Sequence, residues 1–122
     1  MVTRVVVTQH DETRPLVRFE LFPVEGPWRF RFVGGGEVLV LSTVAYSSPD
    51  KARRDIERMR EPGAACDACM AASGSFYFEC KNASGVVIAI SRMFELPRER
   101  DDARALLARS LLGELNVVTC EP

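Results

Sequence analysis

The chain matches itself at a displacement of 48 residues, and this self-similarity narrows the fold more than any other feature. Gly26-Pro27-Trp28-Arg29-Phe30-Arg31-Phe32 falls on Gly74-Ser75-Phe76-Tyr77-Phe78-Glu79-Cys80. Val38-Leu39-Val40 falls on Val86-Val87-Ile88, Thr43-Val44-Ala45-Tyr46 on Ser91-Arg92-Met93-Phe94, and Pro49 on Pro97, with no gap. Chance does not easily supply a shared glycine, an aromatic alternation, a hydroxyl-to-aromatic spacing and a proline in register, so the pattern reads as a duplication.

Local chemistry gives each copy the same elements. Trp28, Phe30 and Phe32 alternate with Arg29, Arg31 and Val33, the period-two pattern of a half-buried strand, and Phe76, Phe78 and Cys80 repeat it against Tyr77, Glu79 and Lys81. Gly34-Gly35-Gly36 and Asn82-Ala83-Ser84-Gly85 supply turn residues, so each copy makes a hairpin. The returning strands are expected at Glu37–Ala45 and Val86–Met93. Earlier strands are expected at Val17–Phe22 and, by the duplication, at Ala65–Ala71. Ser48 can cap a helix with Pro49 at its first position, and Ala52, Ile56 and Met59 give that helix an apolar stripe. A second helix is expected over Arg98–Leu112, with Ala103, Leu106, Leu107, Ser110 and Leu111 on one face and Gly113 as its stop. Leu96 cannot cap it as Ser48 does.

The expected organisation is one globular domain over 1–122. A first repeat spans 17–62 and a second 64–113, with an N-terminal extension strand in 1–15 and a C-terminal strand and tail in 114–122. Thr3–Thr8 and Asn116–Cys120 are the β-like pieces outside the repeats, and either can extend a sheet edge or reach a partner.

These residues resemble the YegP-like family, small domains of uncharacterised function. The resemblance lies in an aromatic-x-Phe strand, a Gly/Asn turn, an aliphatic strand and a Ser/Thr three residues before an aromatic. Here that is Trp28-Arg29-Phe30, Gly36 and Thr43 to Tyr46, then Phe76-Tyr77-Phe78, Ser84-Gly85 and Ser91 to Phe94. It implies an α+β fold in which tandem β-β-β-α units form an antiparallel sheet layer of pseudo-twofold symmetry with two helices packed on it. No catalytic residue transfers with it.

Charge and hydropathy exclude several classes. Sixteen basic and seventeen acidic side chains leave a formal charge of −1, which disfavours general nucleic-acid binding. No apolar run approaches the ~20 residues needed to span a bilayer, and Met1 to Arg14 lacks the apolar core of a secretory signal. No membrane partner is therefore expected, and a cytoplasmic setting with reduced thiols is.

Two groups of residues invite chemistry. Cys66-Asp67-Ala68-Cys69 has the spacing of a redox pair, but such a pair normally sits at a helix N-terminus, whereas the duplication puts this one on a strand, where residues three apart face opposite ways. Only His10, Cys80 and Cys120 are available to complete a four-ligand zinc site, and none forms a second close pair, so no metal or other cofactor is expected. The outward strand positions Arg18, Arg29, Arg31, Tyr77 and Lys81 are the candidates for an anion or single-stranded nucleic acid, against a solvated face balanced by Glu20 and Glu79. The aromatic rows are core, because burying each ring is worth ~1.5–3 kcal/mol. His10 is the only histidine, so a nucleophile has one possible base, poorly placed. The expected function is a non-catalytic binding or assembly module with a protein partner, or self-association through sheet edges. A small-anion or single-strand binder and a thiol redox protein are the alternatives.

Overall fold

A computed structural model describes residues 15–121; the β-like Thr3–Thr8 and His10 lie outside the described residues. In chain order the elements are β1 (Arg18–Pro23), β2 (Trp28–Gly34), β3 (Glu37–Ser42), α1 (Pro49–Arg58), β4 (Ala65–Met70), β5 (Phe76–Lys81), β6 (Val87–Ser91), α2 (Pro97–Leu112) and β7 (Val117–Thr119). The fold is α+β. Seven strands form one sheet in the order β4-β5-β6-β3-β2-β1-β7, antiparallel except where β7 lies parallel to β1.

The two three-stranded runs join at the middle of the sheet, where β3 and β6 pair as Val40 with Ser91, Leu41 with Ile90 and Ser42 with Ala89. Both central strands are shorter than the sequence pattern implies. A buried serine ends each one. The Ser42 hydroxyl accepts from Phe30 N at 3.2 Å and donates to Val44 O at 3.0 Å. The Ser91 hydroxyl accepts from Phe78 N at 2.9 Å and donates to Arg92 O at 2.8 Å. Past these serines Thr43 N donates to Ile88 O and Arg92 N to Leu39 O, each at 2.9 Å, and the chain meets the sheet again at the bridges Trp28–Tyr46 and Phe76–Phe94.

This geometry corrects the ungapped alignment. Ser42, not Thr43, does the work of Ser91, so the offset is 49 residues along β3 and β6 but 48 at Tyr46 and Phe94. The second hairpin turn is one residue longer, closed by Asn82 Oδ1, which accepts from Ser84 N and Val86 N at 3.0 Å each. The segment from serine to aromatic is one residue shorter. In the first turn Gly35 and Gly36 have φ of 63° and 78°, which glycine adopts without cost.

A register shift interrupts each hairpin, between Phe32 and Val33 and between Cys80 and Lys81. Such bulges put two successive residues on nearly the same side. Leu39 and Val40 are accordingly buried together, as are Ile88 and Ala89. One core results. Phe19, Leu21, Phe30, Phe32, Phe78 and Cys80 from alternate strand positions meet Ala52 and Ile56 of α1, Met59 just after it, and Ala103 and Leu107 of α2. Both helices therefore cover the same sheet face.

The helix starts follow their sequence signals. Ser48 accepts from Lys51 N at 3.2 Å, with Pro49 opening α1. Leu96 has no acceptor to offer, and Glu99 compensates by accepting from Leu96 N at 3.3 Å, half of a capping box. In α1 Arg58 pairs with Asp55 at 3.2 Å, and the Tyr46 hydroxyl donates to the other Asp55 oxygen at 2.7 Å.

Ser42→Ala and Ser91→Ala each leave a buried amide without its acceptor and should lower stability by about 1–3 kcal/mol. Thr43→Ala, at an exposed position, should change it by less than about 0.5 kcal/mol. Urea melts of the three variants measure the contrast.

Candidate functional site

The sheet has a covered face and an open one, and the sequence-derived candidates divide between them. Register places Glu20, Arg31, Leu41, Ile90, Glu79 and Asp67 in one row across the open face. Across the face as a whole, β1 and β2 carry Arg18, Arg29 and Arg31 against Glu20, the centre is aliphatic, and β5 and β4 carry Glu79 and Asp67 against Lys81. Val38 and Leu41 are 43% and 38% exposed there.

Glu20 organises the basic end. It is 4% exposed, yet both carboxylate oxygens are used. Arg18 Nε and Nη2 donate to Oε2 at 2.7 and 2.6 Å, and Arg31 Nε donates to Oε1 at 2.7 Å. Arg31 also lies over the Phe22 ring, 4.2 Å from its centroid. Burial pushes the Glu20 carboxyl up, but the hydrogen bonds from Arg31 and Arg18 outweigh it and hold the group below its ordinary value. Arg29 donates to Ser42 O at 3.3 Å.

At the other end Lys81 pairs with Asp67 at 3.0 Å, and Tyr77 stands opposite Cys69. Between β2 and β5 lie β3 and β6, so Arg29 and Arg31 are about 14 Å from Tyr77 and Lys81 across the strands. The five candidates share one face as two separate ends, each largely engaged with its own neighbours.

The cysteines part company. Cys66 and Cys69 take opposite faces of β4. Cys69 goes to the open side, while Cys66 packs against the core opposite Cys80, with their sulfurs 3.2 Å apart. Cys80 is wholly buried. The hydrogen bond with Cys80 lowers the Cys66 pKa against the opposing effect of burial, with further help from Arg104, and the same bond drives Cys80 up. Arg104 Nη1 donates to Cys66 O at 3.1 Å and Arg100 Nη1 to Cys69 O at 3.0 Å, so α2 grips the edge strand by two carbonyls. Above the thiol pair a cleft of about 460 Å³ opens between α2, β4 and the turn after α1, lined among others by Met59, Cys66, Cys80, Arg104, Ala108 and Leu111.

Three features of these sites escape a strand-by-strand reading: the Glu20 hub, Cys80 as partner of Cys66, and the two arginine tethers. Each depends on cross-strand register or on how α2 crosses the sheet. An acidic residue between arginines was the available signal for the first. Among the described residues no group of three or more His, Cys, Asp or Glu side chains could hold a metal ion, and no helix is long and apolar enough to cross a membrane.

No protein-family model and no curated protein matches this chain. Two solved structures do. One is the solution NMR structure of yegP from E. coli, a protein of unknown function, with 25% identity over 85% of this chain and 92% of that one, at a TM-score of 0.69. The other is a UPF0339 protein from Shewanella oneidensis, with 21% identity over 86% of this chain and 92% of that one, at a TM-score of 0.70. The chain therefore shares with these YegP-like proteins an α+β fold, here a mostly antiparallel seven-stranded sheet carrying two helices.

Glu20→Gln should cost about 1.5–3 kcal/mol, the range for hydrogen bonds to charged groups. Because its folded pKa lies below the ordinary 4.5, the carboxylate's contribution is complete above that pH and is lost as pH falls through the depressed folded value. Denaturation of wild type and variant across that window should show the gap closing on the acid side.

Proposed function

We propose that the chain is a two-copy member of the YegP-like family and acts as a non-catalytic assembly module that pairs with a second copy of itself through the open sheet face. The bipolar open face is the observation that carries this reading. Arg18, Arg29 and Arg31 against Glu20 make the β1–β2 end net positive, while Asp67 and Glu79 against Lys81 make the β4–β5 end net negative, with the aliphatics of β3 and β6 between them. A surface with opposite charge at its two ends complements itself about a twofold axis running along the strands, which sets Arg31 of one copy over Glu79 of the other.

Size supports the same reading. Seven strands ~4.8 Å apart and ~20 Å long offer about 650 Å² per copy, or about 1,300 Å² in the pair, within the range of specific interfaces. The sheet edges are less inviting. Strand β7 has three residues, and β4 is gripped from α2 by Arg100 and Arg104. The balanced charge and the internally paired Arg18, Arg31 and Lys81 argue against nucleic acid as the partner. The module is taken to work in the cytoplasm.

The two-copy origin rests on the centre of the sheet. Leu41 and Ile90 hold the same place in their own halves and stand opposite each other, flanked by Val40–Ser91 and Ser42–Ala89. An approximate twofold axis between them demands that exchange of partners.

Sedimentation velocity from micromolar to near-millimolar protein should reveal a monomer–dimer equilibrium. Leu41→Glu combined with Ile90→Glu should return the monomer, and Glu79→Lys should weaken the dimer by roughly tenfold, ~1.4 kcal/mol. A protein monomeric throughout, or a dimer indifferent to Glu79, overturns the proposal.

A further inference from the structure

We propose that Cys66 and Cys80 form a reversible dithiol–disulfide couple that exchanges with small disulfide compounds entering the cleft between α2 and β4. The inference stands apart from self-association, because the cleft lies on the helix-covered side of the sheet.

The cleft and the thiols have one cause. In the first three strands the pair of residues that occupies the matching place is Phe19 opposite Phe32, with ring centroids 4.9 Å apart. In the second three it is Cys66 opposite Cys80. Two thiols fill far less space than two phenyl rings, and α2 does not close over the difference. The 460 Å³ that remains falls in the range of small-molecule sites. Met59, Ala108 and Leu111 are among the apolar side chains that line it together with the two cysteines.

Division of labour follows from access. Cys66 is partly exposed and Cys80 is sealed, so Cys66 is the attacking thiol and Cys80 the resolving one. Arg104, hydrogen-bonded to the Cys66 carbonyl, favours the Cys66 thiolate, and once Cys66 is ionised the hydrogen bond between the sulfurs runs from the Cys80 S–H to it. The other charges near the pair are occupied: Asp67 with Lys81, Asp101 with Arg100, and Arg60 with Gly113 O; Glu61 also lines the cleft.

The exchange balances without a further reagent. The Cys66 thiolate attacks one sulfur of a disulfide R–S–S–R, the S–S bond breaks, and RS⁻ leaves and takes up a proton. Cys80 then loses its proton, attacks Cys66 Sγ and expels the second RS⁻, which is protonated in turn. Two cysteine thiols are oxidised to one disulfide, and one small disulfide is reduced to two thiols. Closing the bond needs the sulfurs to move from 3.2 Å to the ~2.05 Å of a disulfide, a shift of about 1 Å for residues already directly opposed. Neither of the remaining cysteines can resolve the adduct. Cys69 faces the other side of the sheet, and Cys120 follows β7 at the opposite edge.

The test treats reduced full-length protein with glutathione disulfide and follows it by intact-mass spectrometry and peptide mapping. Wild type should lose two hydrogens, map to a Cys66–Cys80 link and hold no lasting adduct. That link should form roughly tenfold faster than any adduct on Cys69 or Cys120. Cys80→Ser should trap glutathione on Cys66, and dithiothreitol should reverse both products. If Cys80→Ser does not fold, the Cys69→Ser/Cys120→Ser double variant serves instead, and the link must still form in it. A persistent glutathione adduct on wild-type Cys66, or first reaction at Cys69 or Cys120, overturns the proposal.

Discussion

The antiparallel pairing of β3 with β6 is the constraint on which the rest of the molecule depends. Each run of three strands with one helix has an edge that would otherwise expose unpaired amides and carbonyls. Joining at Leu41 and Ile90 removes both edges at once. The pairing also sets the core. It sets Val40 opposite Ser91 and Ser42 opposite Ala89, all four buried on the covered face, where the bulged neighbours Leu39 and Ile88 are buried too. A buried serine at the end of each central strand answers the amide of the aromatic strand beside it.

From that centre the two halves diverge in what they bury. The first half is filled with rings: Phe19 against Phe32, and Phe30 stacked on Tyr46 with centroids 6.1 Å apart. The second half has small residues on β4, and α2 reaches it with arginines. Arg100 and Arg104 take strand carbonyls, and Arg100 lies over Phe76 at 5.4 Å. Buried aromatics leave the first half closed. Thiols and an open cleft give the other a place for chemistry.

Much of the fold was legible because alternation and capping are local. Trp28, Phe30 and Phe32 point to one side by period alone, and Ser48-Pro49 starts α1 where its chemistry says it should. Register is not local. The apolar residues Val38–Leu41 and Val86–Ile90 align equally well with or without a one-residue slip, so the ungapped pattern pairs Thr43 with Ser91, whereas the hydrogen bonds match Ser42 to Ser91. The same limit hid the thiol partner. Cys66-x-x-Cys69 is close in sequence but splits across the sheet, whereas Cys80, fourteen residues on, is directly opposed. Glu20 could be read as a balancing charge, but its burial between two arginines depends on the β1–β2 register.

The central claim is that the two halves make one sheet through β3 and β6 in this register. Cross-strand nuclear Overhauser effects in the labelled protein test it most directly. The account predicts backbone contacts for Val40–Ser91, Leu41–Ile90 and Ser42–Ala89. A set displaced by one residue, or no contact between these strands, would contradict it.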